Sequence, residues 1–278
     1  MSTDLIVVTD LDGTLLDHHT YEFSAASEAL HRLRQLGVPL ILNSSKSAAE
    51  ILQIRRRLDN HDPFIVENGA GVYVPESEQG GEEVLRRIDF GMNRADILDI
   101  LGRLRASRGY CFTGFADMTV ADLTDYTGLD REHAELALQR DYTEPLLWQD
   151  SEARFLEFCM ELEQFKISLV RGGRFIHLSA QVDKARAMQW LKEFYAGTQG
   201  TQPRVIALGD SENDRAMLEL ADYAVLIKSP VNSPPVIHHR RLLSPVLEGP
   251  AGWNEAVLSL LRELRETSKL QADCKQER

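Results

Sequence analysis

The feature that most restricts the fold is an alternation of short apolar runs with amphipathic helical patterns. Strands buried on both faces and joined by helices build a parallel sheet. Leu5 to Thr9 reads as a buried strand. Ser24 then stands where a helix cap belongs, Ala26, Leu30 and Leu33 share one helical face, and Gly37 is placed to stop that helix. Val38 to Leu42 predicts a second strand, Ser47 to Leu58 a helix with Ile51, Leu52 and Leu58 inward, and Phe64-Ile65-Val66 a third strand. The alternation resumes near Asp183 with helix Lys184 to Tyr195, strand Arg204 to Leu208, a helix after Asn213 and strand Tyr223 to Ile227. The expected fold class is α/β, with a doubly wound, Rossmann-like parallel-sheet core.

Between these stretches the pattern changes. Pro, Gly, Ser, Gln and Glu cluster from about Glu76 to Glu83, as at a domain boundary or surface loop. Helices are expected at Asn93 to Arg105, Asp130 to Gln139 and Ser151 to Glu163, and strands at Tyr110 to Phe112 and Phe165 to Val170. Gly172-Gly173 then leads into Arg174 to Leu178, a hairpin signal that implies an antiparallel sheet. Residues 1–82 and 183–278 therefore read as the core, and residues 83–182 as an inserted α+β domain.

Composition excludes several function classes. With 43% hydrophobic and 27% charged residues, the 278-residue chain is that of an ordinary globular protein. Its formal charge of -12 repels nucleic-acid phosphates and anionic lipid, so neither nucleic acid nor membrane is an expected partner. Apolar runs such as Leu5 to Val8 fall far below the roughly 20 residues of a membrane span. Met1-Ser2-Thr3-Asp4 lacks the basic start and long apolar stretch of a signal peptide. Cys111, Cys159 and Cys274 are odd in number and lack metal-ligand spacing, which predicts neither disulfides nor zinc and points to the cytoplasm.

The most informative residues are Asp10-Leu11-Asp12-Gly13-Thr14-Leu15, where the first strand ends. Ligands of open α/β sheets bind beyond the carboxyl ends of strands. A carboxylate there can attack phosphorus in line, while its neighbour two positions on protonates the leaving alkoxide and later deprotonates water. A solvated acidic turn is the competing account. Ser44 follows the second strand, and its hydroxyl and adjacent amides can hold a phosphoryl oxygen; it can also cap a helix, a role open equally to Ser45 or Ser47. Asp210, in Gly209-Asp210-Ser211-Glu212-Asn213-Asp214, follows the strand Arg204 to Leu208 and stands beside Asp10. Asp10, Asp12 and Asp210 together imply a cation, and hard oxygen ligands with a phosphate substrate favour Mg²⁺. Asn213 and Asp214 are placed to orient those ligands. Lys184 is suited to neutralise charge on phosphoryl oxygens, a surface lysine being the competing account.

With these residues in view, the chain resembles the haloacid-dehalogenase-like phosphatases. The resemblance rests on DLDGTL at 10 to 15, NSSKS at 43 to 47, ENGAGVYVP at 67 to 75, RDYTEPLLW at 140 to 148, RGGRFIHL at 171 to 178, DKARAM at 183 to 188 and LGDSENDRAML at 208 to 218. Within that superfamily the EPLLW and RGGRFIHL segments resemble the mannosyl-3-phosphoglycerate phosphatase family. The resemblance implies Asp10 as nucleophile, Asp12 as acid/base, Ser44 and Lys184 as phosphoryl anchors, and Asp210 as a metal ligand beside Asp10 and the backbone carbonyl of Asp12. The Ser-Ser-Lys-Ser segment departs from the threonine more common in relatives, leaving Ser44 and Ser45 both open as the anchor. The inserted domain corresponds to a cap that selects substrate.

The cap hairpin supplies a residue-level expectation. If Gly172-Gly173 forms a two-residue turn, Arg171 faces Arg174, and like charges there are unfavourable without an anion between them. Alternation places Ile167, Leu169, Ile176 and Leu178 on a face that packs on helices. Lys166, Ser168, Phe175 and His177 fall on the other, where Lys166 and His177 can meet a sugar or carboxylate. A soluble hairpin end with two exposed arginines is the alternative. Asn68, in Glu67-Asn68-Gly69, either contacts substrate or belongs to a tight turn. The expected function is Mg²⁺-dependent hydrolysis of a small phosphorylated sugar or glycerate, 3-phosphoglycerate carrying a mannosyl or glucosyl group, through an aspartyl-phosphate. A phosphosugar mutase of the same fold and a non-catalytic phosphosugar-binding regulator are the alternatives.

Overall fold

A computed structural model describes residues 4–79, 82–171 and 174–276. The chain divides into two compact units, Met1–Leu42 with Met188–Arg278, and Asn43–Ala187. Along the chain, the first unit opens with β1 (Leu5–Thr9), α1 (Ser27–Leu36) and β2 (Leu40–Asn43). The second contains α2 (Ala48–Leu58), β3 (Phe64–Val66), β4 (Gly71–Gln79), β5 (Glu82–Asp89), α3 (Arg94–Arg108) and β6 (Phe112–Gly114). It continues with α4 (Val120–Thr127), α5 (Arg131–Ala137), β7 (Glu144–Trp148), α6 (Glu152–Glu163), β8 (Ile167–Arg171) and β9 (Ile176–Ala180). Helix α7 (Lys184–Gln199) leads back into β10 (Arg204–Gly209), α8 (Arg215–Leu220), β11 (Tyr223–Leu226), β12 (Leu242–Leu243) and α9 (Gly249–Gln276).

In the first unit the strands run β12-β11-β10-β1-β2, every neighbouring pair parallel. Strand β1 lies between β10 and β2 and is buried along its whole length, as its unbroken apolar run requires. The chain leaves β1 toward β2 on one side and later runs from β10 to β11 on the other. The crevice of such a sheet, where the winding direction reverses, therefore lies between β1 and β10. Their register pairs Thr9 with Leu208, which sets Asp10 level with the end of β10.

The second unit holds the antiparallel ribbon β3-β4-β5 and a four-stranded antiparallel sheet, β6-β7-β9-β8. One face of that sheet forms a core with α3 and α6. Ile97, Leu101, Phe155, Phe158 and Leu162 meet Phe112, Leu146, Ile167, Ile176 and Leu178 there, each large side chain contributing about 1.5–3 kcal/mol through burial. Phe175 instead joins Phe115, Met118, Leu123, Ala134 and Ala137, the cluster under α4 and α5. Helix starts follow capping chemistry: Ser47, Asn93, Asp130 and Ser151 each accept a backbone N–H three residues on.

The polar stretch at 76–83 is not a boundary loop but most of a hairpin. Strands β4 and β5 pair from Gly71 with Asp89 to Gln79 with Glu82, around residues 80 and 81, which lie outside the described residues. A ribbon with polar side chains at its far end reads as loop in sequence because no alternation marks a buried face. Among the described residues no helix is long and apolar enough to cross a membrane.

Candidate active site

The first unit supplies the acids. Asp10 follows β1 and is 6% exposed; its N–H donates to the Leu208 carbonyl at 2.9 Å, which ties it to β10. Thr9 Oγ1 donates to the Asp10 carbonyl at 2.8 Å and receives the buried Trp253 indole N–H at 3.0 Å, fixing the strand end from below. Beyond Asp10 the chain turns sharply: the N–H groups of Thr14 and Leu16 both donate to the Leu11 carbonyl. Gly13 has φ +81°, and a Cβ on it would lie 2.7 Å from Asp210 Oδ2. Glycine here permits both the left-handed backbone and the close approach of the loop to Asp210. Asp12, between these points, is half-buried.

Asp210 and Asp214 are both buried. Thr14 Oγ1 stands 3.5 Å from Asp210 Oδ1, and Asn232 Nδ2 donates to Asp210 Oδ2 at 2.9 Å. Asp214 Oδ2 accepts the N–H groups of Asp210 (3.1 Å) and Ser211 (3.2 Å) and the Ser211 hydroxyl (3.2 Å). Asn213 is exposed and accepts a hydrogen bond from the same hydroxyl at 2.6 Å. Carboxylate oxygens of Asp10, Asp210 and Asp214 lie within 4.8 Å of one another. Three buried carboxylates this close repel strongly unless a cation sits among them, and an all-oxygen set suits a hard divalent ion. The side-chain cluster thus contains Asp214 rather than Asp12, an arrangement compatible with the Asp12 carbonyl as ligand.

The second unit supplies the anion-binding candidates. Ser44 is fully buried just beyond β2: its N–H donates to the Ile65 carbonyl (3.2 Å), its carbonyl accepts the Asn68 N–H (2.9 Å), and its Oγ accepts the Lys46 N–H (3.3 Å). The cap of α2 is Ser47, which closes a capping box with Glu50. Ser44 and Ser45 are thereby released from that duty. Asn43 Nδ2 donates to the Lys184 carbonyl at 3.2 Å, which links the serine segment to the start of α7. Lys184 is fully buried at the N-terminal end of that helix. A buried ammonium is stable only where it is paired or hydrogen-bonded.

The turn Glu67–Gly69 carries positive φ at all three residues, and a Cβ on Gly69 would lie 2.1 Å from the Asp183 carbonyl. Asn68 therefore belongs to a tight turn, half-buried, with its N–H on Ser44. Glu67, in the same turn, is fully buried. Its carboxylate accepts the N–H groups of Asp141 (2.8 Å), Tyr142 (3.2 Å) and Thr143 (2.8 Å), and the Thr143 hydroxyl. The adjacent Arg140 donates through Nη1 (3.4 Å) and Nη2 (3.0 Å) to the Ser45 carbonyl.

The hairpin residues separate. Strands β8 and β9 are antiparallel as expected, but Arg171 pairs with Ile176, so Arg171 does not face Arg174. Gly172 and Gly173 lie outside the described residues. The register differs by two positions from a two-residue turn, an even shift, so the expected faces are retained while the opposing partners change. Arg171 leans on the α6 side, donating to Glu152 at 2.7 Å with its guanidinium 4.2 Å from the Phe155 ring centre. Arg174 donates to the Tyr126 carbonyl. Both are exposed. Lys166 is exposed just before β8, in left-handed backbone at φ +58°, whereas His177 pairs with Val170 near the other end of that strand. Burial, then the Arg140 charge, pushes the His177 pKa down to about 4.

Comparison with known proteins places this geometry. Residues 7–233 match the model of the haloacid dehalogenase-like hydrolase family. The chain belongs to that family and is a phosphoric monoester hydrolase. Among its relatives is a glucosyl-3-phosphoglycerate/mannosyl-3-phosphoglycerate phosphatase of Persephonella marina (strain DSM 14350 / EX-H1), 35% identical over 268 residues, covering 94% of this chain and 98% of the relative. Similar solved structures include haloacid dehalogenase-like hydrolases from Bacteroides thetaiotaomicron (TM-score 0.58, 20% identity, covering 81% of this chain and 88% of that one) and from B. subtilis (TM-score 0.54, 19% identity, 81% and 89%). At that identity they speak for the fold.

Proposed function

We propose that the protein is a Mg²⁺-dependent phosphatase that hydrolyses a glycosylated 3-phosphoglycerate, mannosyl or glucosyl, to the glycosylglycerate and phosphate. The observation that carries the chemistry is the cluster of buried Asp10, Asp210 and Asp214 at the carboxyl ends of β1 and β10. The near end-to-end similarity to the Persephonella marina phosphatase supports the substrate.

In this reading a carboxylate oxygen of Asp10 attacks phosphorus as the bond to the glycerate oxygen breaks, and Asp12 gives its proton to that oxygen. Asp12 then takes a proton from water as the water oxygen attacks the aspartyl-phosphate, releasing phosphate and restoring Asp10. Asp10, Asp210 and the Asp12 carbonyl would hold Mg²⁺, which would supply the positive charge that lets an anionic nucleophile meet an anionic phosphate. Asp214 fixes the backbone carrying Asp210, with Asn213 in the same turn. Ser44, or its neighbour Ser45, and Lys184 hold the phosphoryl oxygens and stabilise the charge that builds on them. The inserted residues 83–182 act as the cap that selects substrate. Free thiols at Cys111 and Cys159 fit action in the cytoplasm.

The test is phosphate release across a panel containing both glycosyl-3-phosphoglycerates, simple hexose phosphates and an aryl phosphate. The reading expects the highest kcat/KM on a glycosyl-3-phosphoglycerate, with release of free phosphate rather than transfer to a second sugar. A clear preference for a hexose phosphate would overturn the substrate, and transfer without release would overturn hydrolysis.

A further inference from the structure

We propose that Arg140 reads the carboxylate of the substrate, a role that rests on the glycosyl-phosphoglycerate reading and replaces the hairpin arginines as carboxylate partner. Both of its terminal nitrogens donate to a single acceptor, the Ser45 carbonyl. This places the guanidinium directly on the segment that presents Ser44. A carbonyl dipole leaves the full charge of the guanidinium in place. Its Nε is buried and has no hydrogen-bond partner among the described residues.

The neighbours do not neutralise it. Among the described residues no carboxylate stands within ion-pair distance of Arg140. Glu144, close enough to feel its charge, is held by Arg94 Nε and the Ala116 N–H, each at 2.7 Å. His177 also senses Arg140 and is neutral at pH 7, so it brings no anion. An unpaired guanidinium with a buried N–H is costly in the free protein. A carboxylate would satisfy it through Nε–H and the second hydrogen of Nη2, the fork that binds two oxygens in parallel.

The scaffold around Arg140 is rigid in the way a recognition residue requires. The three residues after it are clamped through their N–H groups by the buried Glu67 carboxylate. Glu67 N–H in turn donates to the Lys46 carbonyl at 3.0 Å, and Asn68 N–H to the Ser44 carbonyl. One buried turn therefore ties Arg140 to the serine segment, which fixes the spacing between a carboxylate held by the arginine and a phosphoryl group held at Ser44. A substrate with both groups on one three-carbon skeleton suits that constraint, whereas Arg171 and Arg174 have the exposed partners Glu152 and the Tyr126 carbonyl.

The experiment compares phosphate release from glucosyl-3-phosphoglycerate with release from the analogue whose carboxylate is reduced to a primary alcohol. In Arg140→Gln the ratio of kcat/KM for the acid over the alcohol should fall about 10- to 100-fold, chiefly through KM. Arg140→Lys, which keeps the charge without the fork, should fall by an intermediate factor and serves as the deciding variant if Arg140→Gln does not fold. A parallel loss on both substrates would put Arg140 on the phosphoryl group or in the fold and overturn the proposal, as would an unchanged ratio. If the wild type hydrolyses neither glycosyl compound, the substrate reading fails by itself. The same ratio is then measured on 3-phosphoglycerate against glycerol 3-phosphate and decides Arg140 independently.

Discussion

The carboxylate of Asp214 holds the backbone N–H of Asp210 at 3.1 Å, so the turn that follows β10 pins the acid at its tip. Gly209 makes this possible, because a Cβ there would lie 2.4 Å from Asp214 Cβ. Removing a group that orients a metal ligand typically costs about 10- to 100-fold in metal affinity. Asp214→Asn should raise the Mg²⁺ concentration for half-maximal activity by that order, and Asp210→Asn should raise it further. Titrating activity with Mg²⁺ after EDTA treatment checks the order; a larger effect at Asp214 would make it the ligand and Asp210 the support.

Gly13 offers a second test, of the loop that carries Asp12. Its φ of +81°, and the 2.7 Å that would separate a Cβ there from Asp210 Oδ2, leave no room for a methyl group. Gly13→Ala should lose about 1–2 kcal/mol to backbone strain alone. The contact with Asp210 adds a catalytic defect out of proportion to that loss. Thermal unfolding together with kcat on an aryl phosphate would show both. Wild-type turnover with a lowered melting temperature would mean that the loop tolerates displacement.

Glu67 is a buried anion satisfied by four donors, so Glu67→Gln turns part of an acceptor into a donor facing N–H groups. The expected cost is about 2–4 kcal/mol, from lost charge-assisted bonds and a buried donor without an acceptor. Urea denaturation reads it directly. A change below about 0.5 kcal/mol would imply that the segment after Arg140 holds its place without the clamp.

These residues mark where the sequence was legible. Asp10 could be found because β1 is one unbroken apolar run between two parallel neighbours, so its end and the acids after it stand out. Ser47 and Gly37 declared the ends of their helices through chemistry local to a few residues: a capping box with Glu50, and a left-handed C-cap at φ 63°. The faces of β8 and β9 were readable because side-chain parity survives a register shift of two, but the loop conformation that decides whether Arg171 meets Arg174 carries no such periodicity. Glu67 and Arg140 escaped because their partners are backbone groups distant along the chain, which leave no trace in residue type. β3 was legible as the third apolar run, whereas the ends of β4 and β5 read as loop because the polar residues from Glu76 to Glu83 show no alternation.

His177 makes a pH signature available. Its pKa falls from the ordinary 6.5 to about 4 in the folded chain, so the unfolded state takes up a proton first as pH drops. Its contribution to stability is full above pH 6.5, declines as pH falls and is exhausted near pH 4, with a ceiling of about 1.4 kcal/mol per pH unit. Stability curves at pH 7, 5.5 and 4.5 should show a shallower acid decline in His177→Gln than in the wild type. Identical slopes would mean that the imidazole reaches water.

The claim on which the rest depends is that Asp10 is the nucleophile. Phosphate release from glucosyl- or mannosyl-3-phosphoglycerate by wild type and Asp10→Asn, at saturating Mg²⁺ and with folding checked by circular dichroism, tests it most directly. The amide is nearly the same shape as the carboxylate but cannot form the acyl-phosphate. The account predicts that kcat falls by at least about 10³-fold while the fold is retained. Turnover by Asp10→Asn within about tenfold of wild type would contradict it, since a 1.4 kcal/mol effect is too small for the loss of a covalent nucleophile.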